Sequence, residues 1–298
     1  MTGRVRHFSR WLLPVLLCCW TSTVQASELT VLDDFQRTVS LAKPADRIIS
    51  LAPHNTENLF SAGAGDKVVG VVEYSDYPEQ AKTLPILGSY IQFNLEAILN
   101  LQPDLVVAWR SGNNAEALDQ IEQFGIPVYY SEPRSFQDIV DNISELAMLA
   151  GTTDKMEPGL ESISERIQNL RETYQDKHSI KVFYQVWTDP LMTLNGEHFI
   201  SRVLELCGAE NLFASLSIIA PQVNIESVIE ANPDVIVSGM VNNLEPDMSL
   251  WTPWTSVDAV KHDRFLFVDS DVMHRHTYRM LNGIETVCKG LDKFRASL

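Results

Sequence analysis

The sequence is short of positive charge. It has 23 lysines and arginines against 39 aspartates and glutamates, which gives a formal net charge of −16. A surface this acidic repels phosphate backbones and anionic lipids, so the composition argues against a nucleic-acid-binding protein and against direct binding to lipid. It leaves open docking onto basic residues of a membrane protein.

Motifs for nucleotide binding and for nucleophilic catalysis are also missing. The chain has no phosphate loop with Gly-Lys-Ser/Thr and no Gly-x-Ser-x-Gly elbow, and Gly63-Ala-Gly65 lacks the third glycine of the dinucleotide fingerprint. These absences argue against an enzyme, and we expect neither catalytic residues nor a cofactor. An exported α/β enzyme is a remote alternative.

The apolar run near the N-terminus is too short to span a bilayer. Residues 1–26 combine a basic start, an apolar core at residues 11–20 and the small-residue site Val24-Gln-Ala26. This pattern predicts a signal peptide that is cleaved after Ala26, and hence an exported protein.

Cysteine is scarce, and only two of the four cysteines lie outside the predicted signal peptide. In an exported protein such a pair, Cys207 and Cys288, most simply forms a disulfide bond. The long loop that it closes would stabilise the fold by roughly 4 kcal/mol. Two buried free thiols are the alternative.

One segment of the chain occurs twice. Asn94-Leu-Glu-Ala-Ile-Leu-Asn-Leu-Gln-Pro-Asp-Leu-Val-Val-Ala108 returns without a gap as Asn224-Ile-Glu-Ser-Val-Ile-Glu-Ala-Asn-Pro-Asp-Val-Ile-Val-Ser238. Each copy opens with an asparagine that can cap a helix and reaches a proline that cannot continue it, and an aliphatic run typical of a buried strand follows. The wide spacing of the copies indicates two duplicated lobes with a cleft between them.

Each copy of the repeat carries a glutamate in its first helical turn, Glu96 or Glu226. For a single glutamate, favourable interaction with the helix dipole is a sufficient explanation. Two at the same position of a duplicated unit also suit a matched pair of carboxylates that docks onto a two-fold symmetric partner. Both interpretations are open at this point.

Strand-like and helix-like segments alternate on both sides of a long amphipathic segment. This order predicts an α/β protein with two doubly wound, Rossmann-like lobes and mainly parallel sheets. The predicted bounds are 27–152 for the N-terminal lobe, 153–178 for one connecting helix and 179–298 for the C-terminal lobe. The connecting helix is expected to extend about 30 Å over about 20 residues. It is predicted from an apolar stripe of Met156, Leu160, Ile163, Ile167, Leu170 and Tyr174.

Aromatic residues follow predicted strands in both lobes. Ligands of parallel α/β sheets bind beyond the carboxyl ends of the strands, so these side chains suit a cleft for a large, flat, partly apolar ligand. Each of them alone could equally belong to a core. The candidates are Tyr74, Tyr90, Trp109 and Trp187, with Arg110 or Arg275 to hold polar edges of the ligand.

One cluster near the C-terminus has a metal-like composition. It consists of Asp269, Asp271, His274 and His276. The His-x-His pair supplies at most two ligands, and the other histidines show no complementary spacing. We therefore interpret the cluster as polar lining of the cleft and predict no metal site.

Several stretches carry a family resemblance. They are Ile49-Ser-Leu-Ala-Pro-His-Asn-Thr-Glu57, Glu73-Tyr-Ser-Asp-Tyr-Pro78, Asn94-Leu-Glu96, Gln102-Pro-Asp-Leu-Val-Val-Ala-Trp-Arg110, Glu205-Leu-Cys-Gly208 with Glu210-Asn-Leu-Phe213, and Pro221-Gln-Val223. Together they resemble the periplasmic vitamin B12-binding proteins of ABC importers. The likeness extends over nearly all of the mature chain and is most specific in the first lobe.

The resemblance implies a periplasmic, two-lobed and monomeric binding protein with cobalamin as its ligand. It implies delivery of cobalamin to a two-fold symmetric ABC permease with its ATPase subunits, and docking of Glu96 and Glu226 on permease arginines. It also implies the disulfide bond between Cys207 and Cys288. The ligand contacts that it implies are Tyr74, Tyr90, Trp109, Asp271, Val272, Met273, His274 and Arg275.

Two departures from the family pattern fall on the second-lobe wall of the cleft. Ala220 stands where an aromatic residue usually precedes Pro-Gln-Val. The loop at 271–275 keeps Asp271 and Arg275 but has Val-Met-His between them. These changes leave open which corrinoid is bound. Haem or a ferric siderophore on the same scaffold is the alternative, with Tyr74 or His274 as candidate contacts.

Overall fold

The computed structural model of the 298-residue chain describes residues 2–3, 28–240 and 244–298. Apart from positions 2 and 3, the predicted signal peptide and its cleavage site after Ala26 lie outside the described residues. Within the part of the chain that is described, no helix is long and apolar enough to span a membrane.

The N-terminal lobe is built on a parallel sheet. Its strands are β1 (Leu29–Leu32), β2 (Thr38–Leu41), β3 (Ile48–Ser50), β4 (Val68–Gly70), β5 (Leu105–Ala108) and β6 (Val128–Tyr130). Its helices are α1 (Pro53–Ser61), α2 (Leu95–Asn100), α3 (Ala115–Gln123) and α4 (Phe136–Ala150). Strands β1 and β2 form a separate antiparallel pair, and the other four lie in the order β4–β3–β5–β6, all parallel.

After α5 (Ile163–Tyr174), the C-terminal lobe repeats this arrangement. Its strands are β7 (Ile180–Gln185), β8 (Trp187–Thr188), β9 (Leu191–Met192), β10 (Ala209–Asn211), β11 (Val235–Met240) and β12 (Phe265–Asp269). Its helices are α6 (Phe199–Leu206), α7 (Ile225–Ala231), α8 (Asp258–Lys261), α9 (Ser270–Met273) and α10 (Met280–Arg295). The parallel sheet has the order β10–β7–β11–β12, and β8 pairs with β9 antiparallel.

The two sheets have the same topology. When its parallel strands are numbered along the chain, each sheet has the order second, first, third, fourth. The two copies of the sequence repeat form α2 with β5 and α7 with β11, which are the third strands of their sheets. Asn94 and Asn224 cap these helices by accepting hydrogen bonds from the N–H groups of Ala97 and Ser227 at 3.0 and 2.8 Å. The predicted α/β class with two doubly wound lobes is confirmed.

The third strand of each sheet is buried on both faces. In β5, Leu105 and Val107 contribute to a core that both lobes share, whereas Val106 and Ala108 face a second core within the first lobe. This alternation follows from the two-residue period of a strand. The shared core continues through α4, α5, α6 and α10. Such a continuous apolar layer between the lobes is a physical reason to expect only a small opening motion.

The connecting helix is shorter than predicted. Helix α5 has 12 residues, about 18 Å, and 3₁₀ turns at Thr153–Lys155 and Leu160–Ser162 precede it. Pro158 cannot donate a backbone hydrogen bond, and Gly159 has a left-handed φ of 96°. These two residues interrupt the helix. The predicted helix over 153–178 is therefore too long, while the lobe boundaries beside it stay a prediction.

Cys207 and Cys288 form a disulfide bond, as predicted. Cys207 directly follows α6, Cys288 lies in α10, and both are fully buried. The bond therefore fastens the last helix of the chain to the second lobe.

Candidate ligand-binding cleft

The topological switch point of the first sheet lies between β3 and β5, and we call the region beyond it the crevice. These two strands are neighbours, and the chain leaves them in opposite directions, toward β4 from one and toward β6 from the other. The loops that follow therefore diverge beyond the carboxyl ends of the strands, which is where α/β sheets bind ligands. The loop after β3 leads into α1, and the loop after β5 begins with Trp109.

Three side chains meet at these strand ends, and we call them the aromatic wall: His54, Tyr90 and Trp109. The Trp109 ring lies 5.7 Å from the Tyr90 ring and 5.3 Å, edge-to-face, from the His54 ring, measured between centroids. All three are partly buried. Tyr74 stands apart with 70% of its surface exposed and with a φ of 65°, which is uncommon for tyrosine. The structure thus brings together two of the predicted aromatic residues and adds a histidine.

The buried side chain of Asn113 holds the aromatic wall in place. Its Oδ1 accepts a hydrogen bond from the backbone N–H of Trp109 at 2.7 Å. Its Nδ2 donates to the backbone carbonyls of Leu51 and Tyr90 at 2.8 and 2.6 Å. A Cβ on the adjacent Gly112 would lie 2.0 Å from the Trp109 ring, so the indole packs directly against this glycine. Sequence analysis missed Asn113, whose only local signal is its position in a turn after a strand.

A buried carboxylate joins the two lobes beside the crevice. Glu57 of α1, 2% exposed, accepts hydrogen bonds from the guanidinium groups of Arg275 at 2.9 Å and of Arg279 at 2.8 and 3.1 Å. Thr277 also donates to it at 3.1 Å. Burial raises the pKa of Glu57 above its ordinary value, and the two arginines oppose this shift. The contact unites α1 of the first lobe with the segment before α10 of the second.

Arg275 extends this contact to two further carboxylates. It pairs with Asp76 at 2.8 Å and with Asp271 at 2.9 Å, and we call these residues with Glu57 and Arg279 the inter-lobe charge cluster. Arg275 therefore links the loop after Tyr74 to the predicted ligand loop 271–275. The other predicted cation, Arg110, lies 5.3 Å from the centroid of the Tyr130 ring and has no ion pair within the described residues.

The predicted ligand loop begins as a short helical turn. Asp269 caps α9 by accepting hydrogen bonds from the N–H groups of Asp271 and Val272 at 2.9 and 3.3 Å. Met273 faces the shared core and is buried, so its side chain does not lie in the crevice. His274 is 3.0 Å from the Tyr184 hydroxyl through Nε2. Two of the predicted ligand contacts in this loop, Asp271 and Arg275, belong to the inter-lobe charge cluster, and their ion pair fixes their positions.

Burial lowers the pKa of four histidines near the crevice. The pKa falls to about 3 for His54 and to about 4 for His198, and it also falls for His274 and His276. The positive charges of His276 and Arg275 add to the effect on His54. Neutral imidazoles can act as ligands, but within residues 28–240 and 244–298 no group of three or more His, Cys, Asp or Glu is arranged to hold a metal ion.

Replacing His54 by glutamine should reduce the loss in free energy of unfolding that occurs as the pH falls from 7 to 4. Below pH 6.5, His54 is protonated in the unfolded chain. In the folded protein its pKa of about 3 keeps it neutral over most of this range. The stability from neutral His54 is thus full above pH 6.5 and is lost as the pH falls toward 3, by up to about 1.4 kcal/mol per pH unit. Urea unfolding of both proteins between pH 7 and pH 4 measures this slope. Equal slopes would contradict the prediction.

The second lobe carries exposed apolar side chains in the segments that follow β7 and β10. Trp187 follows β7 and donates its indole N–H to the carbonyl of Asp189 at 2.9 Å. Ile218 and Ile219 are both more than half exposed, and the Ile219 carbonyl accepts a hydrogen bond from Asn195 at 2.9 Å. The second-lobe wall thus has aliphatic groups beside Ala220, where the family pattern has an aromatic residue.

Glu96 and Glu226 have equivalent environments. Each is exposed in the first turn of a helix that leads directly into a parallel strand, α2 into β5 and α7 into β11. Such a helix runs antiparallel to its strand, so its N-terminus lies toward the carboxyl end of the sheet. Both glutamates therefore lie at the end of their lobe that carries the crevice.

A family model for periplasmic binding proteins matches residues 48–272, which include every strand of both parallel sheets. The chain belongs to the periplasmic binding protein family. Its similarity to individual members of this periplasmic binding protein family extends over both lobes. The vitamin B12-binding protein of Vibrio campbellii is 40% identical over 256 residues, 85% of this chain and 91% of the relative. That of Yersinia pestis is 36% identical over 249 residues, 83% and 87% of the two chains.

Solved structures show the same fold. The periplasmic vitamin B12 binding protein of Vibrio cholerae has a TM-score of 0.77 at 38% identity, covering 85% of this chain and 98% of that chain. A periplasmic heme binding protein of Vibrio cholerae has a TM-score of 0.72 at 20% identity, covering 82% and 98%. At that identity the likeness is one of fold alone.

Proposed function

We propose that this periplasmic binding protein captures vitamin B12 between its lobes and delivers it to an ABC permease for import. The observation that carries the proposal is the similarity of 36% to 40% to vitamin B12-binding proteins over both lobes. The aromatic wall and the exposed apolar groups of the second lobe suit a large, flat, partly apolar ligand such as a corrin ring. The family and the predicted signal peptide support a periplasmic location.

The proposed ligand contacts come from both lobes. The first lobe contributes Tyr74, Tyr90 and Trp109, and the second contributes Asp271, Val272, His274 and Arg275. Cobalamin is cargo in this proposal, and we assign neither a catalytic residue nor a resident cofactor. Proteins of this family that match the chain are substrate-binding proteins, which favours binding over catalysis.

The proposed membrane partner is a two-fold symmetric permease with its ATPase subunits. The sheets of the two lobes repeat one topology, and Glu96 and Glu226 are exposed at equivalent positions in them. A monomer can therefore present two like carboxylates to two like sites of a symmetric partner. We propose that these carboxylates pair with permease arginines.

Isothermal titration of residues 27–298 with cyanocobalamin tests the ligand assignment. We expect one-to-one binding with a free energy of about −8 kcal/mol or better, which corresponds to submicromolar affinity. A parallel titration with haemin tests the alternative ligand. Saturable binding of haemin without any binding of cyanocobalamin would overturn the cobalamin assignment.

Replacing Asn113 by alanine should weaken cyanocobalamin binding about tenfold, or about 1.4 kcal/mol. The change removes the hydrogen bonds that fix Trp109 and Tyr90 relative to the end of β3. The aromatic wall then samples arrangements that do not match a flat ligand, and binding has to order it again. Titration calorimetry with cyanocobalamin measures the affinity.

The adjacent Asn114 provides a matched control for this prediction. Its side chain caps α3 by accepting a hydrogen bond from the N–H of Ala117 at 3.0 Å and does not contact the wall. Asn114→Ala should cost about 1 kcal/mol of stability and leave the affinity unchanged. If Asn113→Ala binds as tightly as wild type, the positioning role of Asn113 is wrong.

A further inference from the structure

His54 is placed to face a ligand in the crevice. It occupies the second position of α1, just beyond the end of β3, and its ring stands edge-on to Trp109. The side chain is only partly buried. Within the described residues, no hydrogen bond joins either of its ring nitrogens to another group. The ring is therefore held by packing alone, with both nitrogens available.

The other three imidazoles of this region differ in this respect. Each has one ring nitrogen engaged by the protein, at 2.9 to 3.2 Å. The contacts are His198 Nδ1 with the N–H of Ile200, His274 Nε2 with the Tyr184 hydroxyl, and His276 Nδ1 with the Pro133 carbonyl. Of these four histidines, His54 is the one whose ring nitrogens are not engaged by any described residue, so its imidazole is free to bind a ligand.

The first turn of α1 contains a second group of this kind. Asn55 is fully buried, yet neither its Nδ2 nor its Oδ1 has a hydrogen-bond partner among the described residues. The N-cap residue, Ala52, has no side chain that could cap the helix. Buried polar groups in folded proteins nearly always have partners. Asn55 has no exposed surface, so of the two unpartnered side chains in this turn only His54, which is partly exposed, can contact a ligand in the crevice.

We propose that His54 coordinates the metal of the bound corrinoid whenever an axial position of that metal is exchangeable. This inference rests on the function proposed above and names the form of the ligand that is preferred. Imidazole nitrogen is a common ligand of transition metals, and a single axial bond needs no cluster of protein ligands. The edge-on packing of Trp109 limits how far the imidazole can turn, so little ordering is needed when the bond forms.

The coordination step balances without any further reactant. In aquocobalamin the bond between cobalt and water breaks, and water leaves with its electron pair. The lone pair of the unprotonated His54 nitrogen forms the new bond to cobalt. Burial holds the pKa of His54 at about 3, so the imidazole is already neutral and no proton is released at neutral pH. Cyanocobalamin holds cyanide in this position and is not expected to exchange it.

Absorption spectroscopy of the full mature protein with aquocobalamin tests the proposal. At saturating corrinoid, the near-ultraviolet band of wild-type complexes should move to longer wavelength, because nitrogen replaces water as the axial ligand. His54→Ala should abolish the shift. Wild type should also bind aquocobalamin about tenfold more tightly than cyanocobalamin, and the variant should lose this preference.

Two histidine variants serve as controls at saturating corrinoid. His178→Ala removes an exposed imidazole between α5 and β7, and His262→Ala removes an exposed imidazole directly after α8. Both should keep the band shift. A shift that persists in His54→Ala, disappears in His178→Ala or His262→Ala, or is missing from a wild-type complex with aquocobalamin overturns the proposal. Wild type that binds neither corrinoid overturns the proposed function itself, which separates the two failures.

Discussion

Vitamin B12 uptake that depends on this protein should fall to background when Glu96 and Glu226 are both replaced by alanine. Loss of one carboxylate from a buried charge pair at an interface costs about 2 kcal/mol or more. Losing two such pairs would weaken docking roughly a thousandfold. Cyanocobalamin binding in solution should be unchanged, because both side chains are exposed at helix starts and do not belong to the aromatic wall. Either single variant should retain part of the uptake.

The docking prediction can be measured in cells of the source organism whose only copy of the gene encodes the variant. Uptake of labelled cyanocobalamin is the readout, and titration calorimetry of the purified variant verifies that the cargo is still bound. Glu161→Ala with Glu165→Ala is a matched control, since it removes two exposed carboxylates around the start of α5. It should transport like wild type. Wild-type uptake by the Glu96 and Glu226 double variant would show that these residues do not dock the protein.

Features that depend on neighbouring residues in the chain were predictable. The Asn caps of α2 and α7, the proline stops and the aliphatic runs of β5 and β11 are all set by local sequence. Because the same local pattern occurs twice, it also predicted that two lobes share one topology. The connecting helix failed for an equally local reason. The apolar stripe predicts a helix that continues through Pro158 and Gly159, although a proline and a left-handed glycine are stronger signals for a helix end than periodicity is for its continuation.

Features that depend on distant parts of the chain were not predictable. Glu57 and Arg275 are 218 residues apart in sequence, and no pattern near either residue indicates the other. Arg275 was expected to hold a polar edge of the ligand, and the structure shows that three carboxylates already engage it. Asn113 was missed because its three partners belong to three segments. The strand ends predicted two residues of the aromatic wall, Tyr90 and Trp109, but not His54. The groups that hold these side chains in place belong to distant segments and required the fold.

Replacing Glu57 by glutamine should lower the free energy of unfolding by about 3 to 5 kcal/mol. The amide has nearly the same shape as the carboxylate but no charge, so the buried guanidinium of Arg275 and the partly buried one of Arg279 lose the anion between them. Arg279 is affected most, because Glu57 is its carboxylate partner within the described residues, whereas Arg275 keeps Asp76 and Asp271. Urea unfolding near neutral pH measures the change.

The expected cost arises from the uncompensated charges and not from the loss of attraction as such. Removing Arg279 as well, in Glu57→Gln with Arg279→Met, should therefore recover part of the stability, because the long apolar side chain fills the space without needing an anion. Glu285 offers a control, since its pair with Arg166 is about one third exposed and Glu285→Gln should cost less than 1 kcal/mol. If Glu57→Gln costs no more than Glu285→Gln, the charge cluster does not hold the lobes together. A large loss that the second substitution partly reverses would instead locate the link between the lobes at Glu57.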